Sequence, residues 1–305
     1  DVFAIGEHHR PDYAVSSPTT VLAAAAVRTK HIKLSSGVTV LSSDDPVRVF
    51  QQFATVDLLS DGRAEIMAGR GSFIESFPLF GYNLRDYDVL FSEKLDMLIE
   101  LNRSEKITWE GKVTQTIPNR GVYPRPCQEK LPIWVAVGGT PESVVRAAEK
   151  GLPMMLAIIG GSPKQFGPYS KLYRELYEKA GHDPALYQLG VNSHTYIAEN
   201  SQQALDEFYP PYSEVMTRIG RERGWPGMSR DQFNASAASG GALLVGSPAQ
   251  VVEKILWEHE MLGNTRFLAQ MSIGALPHAQ AMKSIELLGT KVAPEVKKHF
   301  GKKGS

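Results

Sequence analysis

Seven short apolar runs, each parted from the next by sequence of helical period, constrain the fold of this chain more than any other feature. They are Val2 to Gly6, Ile32 to Leu41, Ala64 to Ala68, Pro132 to Val137, Pro153 to Ile159, Leu189 to Ile197 and Arg266 to Met271. Runs this short and largely apolar, Ile32 to Leu41 rich in β-branched residues and Leu189 to Ile197 with polar Asn192, Ser193 and His194 in its middle, read as strands of a buried sheet, and helical sequence between them makes each connection a crossover. Alternation of this kind predicts an α/β fold with a parallel sheet. The punctuation agrees: Pro18, Asp45-Pro46, Pro141 and Pro248 open helices, while Asp61-Gly62 and Gly151 close them.

A closed (β/α)8 TIM barrel needs eight strands and about 250 residues plus insertions, which 305 residues accommodate. The expectation is therefore a TIM barrel with insertions, residues 1–305 forming one domain. The chain opens almost inside a strand and without Met, so the barrel's first strand and helix are expected to be absent from its N-terminus. Residues 104–130 are turn-rich and hold Pro118, Pro124 and Pro126, which predicts a small hairpin-like insert. A doubly wound open sheet is the alternative, and the lack of a GxGxxG turn after an early strand counts against it.

Lys plus Arg equals Asp plus Glu at 33 each, so no net charge draws the chain to nucleic acid or to an anionic membrane, and a small-molecule partner is expected. Cys127 is the only cysteine, which excludes an internal disulfide and any CxxC metal site and fits a reducing compartment, the cytoplasm. No apolar run approaches the roughly 20 residues that span a bilayer.

The first run leads directly into Glu7, His8 and His9. A buried strand ending in ionisable side chains marks the carboxyl edge of a parallel sheet, where such folds place their chemistry. Alternation puts Ala4, Gly6 and His8 on one face, leaving room there for a bulky ligand. Polar strand-end histidines held by backbone partners are the plainer alternative. Gly69-Arg70-Gly71 after the third run and Gly138-Gly139-Thr140-Pro141 after the fourth stand at equivalent edges. The start of the helix after Thr140 can bind an anion through free amides and the helix dipole, or Thr140 can simply cap it. His194, inside its strand, is either a contact for ligand or a satisfied core histidine. His278 reads as a cap for the last helix, and Gly246-Ser247-Pro248 as a cap or a second anion site. A metal-dependent barrel hydrolase built on His8, His9 and His194, with Glu7, is a rival reading from the same residues.

Four fragments in order carry a resemblance. Glu7-His8-His9, Gly37-Val38-Thr39-Val40-Leu41 with Asp45-Pro46-Val47-Arg48, Asp57-Leu58-Leu59-Ser60-Asp61-Gly62-Arg63, and Gly69-Arg70-Gly71 together resemble the bacterial luciferase-like family of flavin-dependent monooxygenases. The resemblance runs on through Val137 to Ser143 and the last strand. It implies a barrel that binds reduced FMN, or in sister groups F420, and uses O2 on a small organic substrate, with a separate flavin reductase as electron source. Residue by residue, it implies His8 as the active-site base. It also implies that Glu7, Gly37, Val38, Arg70, Gly138, Gly139, Thr140 and Ser143 bind the cofactor, with a non-proline cis peptide at Gly37-Val38 and phosphate contacts from Arg70 and the Gly138 loop. His194 and Phe73, the latter in an aromatic loop running to Phe80, are candidate substrate contacts. No metal is expected. The light-emitting members carry a reactive cysteine where this chain has Gly69, so light emission is not implied. A homodimer is expected from the resemblance and from the small side chains of Leu22 to Ala26, on which another helix can pack closely.

Overall fold

Contacts divide the chain into two units, Asp1–Ala136 and Val137–Ser305. The computed structural model describes residues 1–71 and 73–301. In the first unit the elements are β1 (Val2–Ile5), α1 (Pro18–Arg28), β2 (Lys33–Ser36), β3 (Thr39–Val40), α2 (Pro46–Leu59), β4 (Ala64–Gly69), α3 (Ser76–Leu79), α4 (Tyr87–Arg103), β5 (Lys106–Trp109), β6 (Ile117–Gly121) and β7 (Ile133–Val137). Strands β1, β2, β4 and β7 pair in parallel in that order, with Val2 opposite Lys33, Leu34 opposite Ala64 and Ile66 opposite Ile133. The sequence expectation of a parallel α/β arrangement holds here.

The single strand expected over Ile32 to Leu41 is broken in two. After Ser35 the β2–β4 ladder gives way to a side chain: Ser36 Oγ donates to Met67 O at 3.1 Å and accepts from Met67 N at 3.0 Å. Strand β3 then resumes pairing with β4 at Ala68 and Gly69. The break leaves Gly37 exposed between two buried pieces. Helix α2 covers this sheet with buried Val49, Phe50, Phe53 and Ala54, each large side chain contributing about 1.5–3 kcal/mol by burial. Asp45 caps it, accepting from the amides of Val47 and Arg48. The expected insert is an antiparallel β5–β6 hairpin with a register shift between Ile107 and Trp109.

The Asp57-to-Arg63 fragment proves to be structural. Arg63 donates to the carbonyls of Ala26, Thr29, Ile32 and Ser60 and to Thr29 Oγ1, closing the carboxyl end of α1. Asp57, fully buried, accepts from the amides of Ala64 and Gln128 and from the Gln128 side chain, tying α2 to the segment before β7.

The second unit holds α5 (Pro141–Glu149), β8 (Met154–Ala157), α6 (Gly167–Lys179), β9 (Leu189–Ile197), α7 (Ser201–Arg223), α8 (Arg230–Ala237), β10 (Leu244–Gly246), α9 (Pro248–Leu262), β11 (Arg266–Gln270), α10 (His278–Leu287) and α11 (Ala293–Gly301). Strand β9 pairs in parallel with β8 over Leu189 to Asn192 and with β11 over Gly190 to His194. Strand β10, which is not among the seven runs of the sequence, takes Thr195 to Ile197, beyond where the other two stop. Helix α8 was also missed. The last helical stretch is divided into α10 and α11 by a π turn at Leu288–Val292. Ser247 forms a capping box with Gln250 on α9, in line with the cap reading, whereas α10 begins at His278 with Pro277 in the cap position. No helix among the described residues is long and apolar enough to cross a membrane.

Candidate active site

Where β1 ends, three ionisable side chains in a row meet different surroundings. Glu7 turns inward: its Oε2 accepts from Val40 N at 2.9 Å and its Oε1 bonds His9 Nε2 at 2.8 Å. Burial pushes its carboxyl above the usual range, opposed by these two hydrogen bonds. Glu7 therefore pins β3, and with it the Gly37–Val38 turn, to the end of β1. That peptide is cis, as the resemblance implies. The backbone approaches closely at this turn: a Cβ on Gly6 would stand 3.1 Å from Gly37 O and one on Gly37 3.3 Å from Ala4 Cβ, each tight enough that a neighbour would have to give way.

His8 takes the other direction. Its backbone amide donates to Val15 O at 2.9 Å, its ring stacks on Tyr13 with centroids 3.8 Å apart, and the edge of Phe73 meets it at 5.5 Å. Burial lowers its pKa from 6.5 to about 4, while Asp12 and Glu75 pull upward and Arg10 and His9 downward. The imidazole is thus neutral at neutral pH and can accept a proton or a hydrogen bond. Phe73 and His8, both named from sequence, come together; Phe73 also carries Arg10 over its ring at 4.5 Å.

Arg70 leaves β4 toward the start of α4, donating to Asp88 Oδ1 at 2.7 Å with its guanidinium 4.9 Å above the Tyr87 ring. Asp88 is mostly exposed, so this pair is worth about 0–1 kcal/mol and yields readily to a stronger anion. A Cβ on Gly69 would crowd the Val38 side chain, and Gly71 adopts a positive φ of 82° against Val40.

In the second unit Gly139 has a φ of 117°, and a Cβ on Gly138 or Gly139 would meet nothing within 4 Å. The loop before α5 is open rather than packed. Thr140 makes no side-chain capping bond to α5, Ser143 is buried one turn in, and Tyr169 donates to Gly139 O at 2.8 Å. His194 is 7% exposed with Nδ1 lacking a hydrogen-bond partner, and the edge of its ring meets Tyr212 at 5.5 Å. Burial alone lowers its pKa to about 4. Its Nδ1 is thus left for a ligand or for a water.

Sequence reasoning missed Arg10, Tyr13 and Glu75 around His8, and the buried Lys94. Lys94 donates to Ser42 O at 2.8 Å and lies 3.8 Å above the Tyr82 ring; burial lowers its pKa to about 8 against the pull of Asp44 and Asp45. A lysine between Leu90, Phe91, Leu95 and Leu98 on the apolar stripe of α4 was the available signal. Among the described residues no group of three or more His, Cys, Asp or Glu side chains could hold a metal ion, which counts against the hydrolase reading.

Comparison with known proteins adds the following. The family model described as luciferase-like monooxygenase matches residues 1–265. The alkanal monooxygenase alpha chain of Aliivibrio fischeri is 23% identical, over 97% of this chain and 89% of its own. Among solved structures, monooxygenase RslO1 from Streptomyces bottropensis is 25% identical with a TM-score of 0.83, over 96% of this chain and 87% of that one. The oxygenating constituent of 3,6-diketocamphane monooxygenase from Pseudomonas putida, in complex with FMN, scores 0.77 at 20% identity, over 97% and 88%. The coenzyme F420-dependent tetrahydromethanopterin reductase of Methanopyrus kandleri scores 0.72 at 21% identity, over 96% and 90%.

Proposed function

The chain belongs to the luciferase-like monooxygenase family, and we propose that it is an FMN-dependent monooxygenase that uses O2 on a small organic substrate. The observation that carries this reading is His8: a neutral imidazole at the end of β1, beside the exposed Gly37 turn and walled by Tyr13 and Phe73. Reduced FMN, when bound, supplies the electrons that activate O2. The protein's part is to hold the cofactor and to move protons. His8 offers an uncharged ring nitrogen that takes a hydrogen bond or, transiently, a proton; with a pKa of about 4 it is a weak base at neutral pH and hands that proton on readily. Glu7 holds the Gly37–Val38 turn in place through Val40. Arg70 exchanges its exposed partner Asp88 for phosphate, a bidentate charge-assisted contact being about twice as strong as a neutral one. Gly138 and Gly139 present open backbone to an anion, with Thr140 and the buried Ser143 at the positive end of α5 behind them. Phe73 is assigned to substrate in the first unit, and in the second the buried Nδ1 of His194 is a candidate contact for a ligand.

A separate reductase would supply the reduced flavin, in the cytoplasm. The test is a calorimetric titration with FMN and with F420, oxidised and reduced, on the wild type, Arg70→Ala and His8→Ala. Preferred binding of FMN, weakened about tenfold or more by Arg70→Ala, is expected; one lost charge-assisted hydrogen bond is worth about 1.5–3 kcal/mol. His8→Ala should keep its FMN affinity while turnover with reduced FMN falls about 100-fold. Preference for F420 would replace the cofactor in this reading, and unchanged turnover would remove His8 from it.

A further inference from the structure

We propose that Arg10 is a positioning residue: paired with Glu75, it latches the segment after β4 onto the end of β1, so that Phe73 and Tyr13 wall the imidazole of His8 off from water. The proposal rests on the reading of His8 as the proton-handling group and assigns the residues that set its surroundings.

The side chain of Arg10 is only 8% exposed, which for a guanidinium demands several partners. It has them: Arg10 Nε donates to Asp12 Oδ1 at 3.1 Å, one terminal nitrogen pairs with Glu75, and its plane covers the Phe73 ring at 4.5 Å. Asp12 lies two residues away in the same turn after β1, but Glu75 and Phe73 arrive from beyond β4. One side chain therefore gathers both edges of the wall. The three rings close on one another as well, with His8 to Tyr13 at 3.8 Å, His8 to Phe73 at 5.5 Å and Tyr13 to Phe73 at 5.9 Å. Downstream, the segment is anchored by buried Ser76 and Phe77, whereas Ile74 is 58% exposed, so residues 73–75 lean on the Arg10 contacts rather than on a core of their own.

The latch and simple electrostatics predict opposite signs. The charged groups facing His8 are Asp12 and Glu75, which favour its protonated form, and Arg10 and His9, which oppose it; burial outweighs them all. Deleting the Glu75 carboxylate removes a favourable charge and, by charge alone, would lower the His8 pKa further. Releasing the wall readmits water and raises it.

The experiment is an NMR titration of the His8 ring in the full chain carrying labelled histidine, with His8→Gln to assign the signal. It compares wild type, Glu75→Ala and Glu75→Gln. Glu75 is 31% exposed by side chain, and its replacement leaves the buried anchors Ser76 and Phe77 intact. In Glu75→Ala the His8 pKa is expected to rise from about 4 toward 6.5, by about one unit or more. Glu75→Gln keeps an oxygen acceptor for Arg10 and should hold it near the wild-type value. A His8 pKa in Glu75→Ala at or below that of the wild type overturns the latch. Because the readout is the ring's own titration, that failure is separate from the failure of His8 as base, which the turnover of His8→Ala decides.

Discussion

Gly69 and Val38 offer a packing test at the centre of the site. A Cβ on Gly69 would stand 2.7 Å from Val38 Cγ2 and 3.0 Å from its Cβ and Cγ1, separations that require something to shift. Gly69 is buried in β4 and its φ lies outside the left-handed region, so alanine is allowed by the backbone and two effects compete. Alanine restricts the unfolded chain and stabilises by about 0.4–1 kcal/mol. Overpacking costs about 1–3 kcal/mol. The contact at 2.7 Å puts the cost toward the upper part of that range, so Gly69→Ala should destabilise by about 1–2 kcal/mol net. Val38→Ala deletes both γ carbons, leaving a single 3.0 Å approach, and for a half-buried valine should itself cost about 1 kcal/mol. The double variant should then be more stable than the sum of the singles by about 1 kcal/mol, read from urea unfolding followed by tryptophan fluorescence. Additivity within about 0.5 kcal/mol would refute the claim that Val38 is what excludes a side chain at 69. The same contact bears on larger residues: cysteine at this position would bring the alanine clash plus a sulfur.

Three further outcomes follow from the same structure. Arg63→Lys keeps the charge but loses the fork that reaches carbonyls on both sides of the α1 terminus, and should lower stability by about 2–4 kcal/mol in urea; a loss under about 0.5 would show those bonds to be incidental. His194 has a folded-state pKa below its unfolded value, so between 6.5 and about 4 the unfolded chain binds more protons. Its contribution is present above 6.5 and lost as pH falls through that window, by about 3 kcal/mol in all. His194→Gln should therefore lose less stability than wild type between pH 6.5 and 4, and parallel pH profiles would contradict the buried neutral ring. Finally, Leu22 and Ala26 face inward on α1, leaving Ala24 and Val27 outward for a second copy; the chain is expected to be a homodimer by light scattering at micromolar concentration, and a monomer there would remove that expectation.

The fold was legible wherever burial is dense and local. Met154 to Ala157 is buried along most of its length, and a sequence with nothing polar to expose declares this directly, whereas Ala64 to Gly69 is read as buried despite Glu65, whose carboxylate is paired with Lys33. Caps were legible for the same reason, since Asp45 and Ser247 bond amides two or three residues on. Strand β10 was not legible, because three residues carry no period and it forms only by finding Thr195 to Ile197 on β9. Helix α8 was within reach, given Ser229 and Gln232 at capping-box spacing before Phe233.

Three arginines show why the site was harder to read than the fold. Arg10, Arg63 and Arg70 all stand in short polar stretches at strand ends, and nothing in their neighbours tells them apart. Arg63 reaches Thr29, 34 residues back; Arg70 reaches Asp88, 18 residues on; Arg10 reaches Glu75, 65 residues on. The first spends its fork on backbone carbonyls and is structural. The second holds an exposed carboxylate that it can surrender, which is what suits it to phosphate. The third is buried between two carboxylates and an aromatic ring, beside the histidine proposed as base. Family resemblance singled out the fragments of Arg63 and Arg70 alike and passed over Arg10. What separates the three is how dry each guanidinium is and what it would leave behind if removed, and only the long-range pairing decides that.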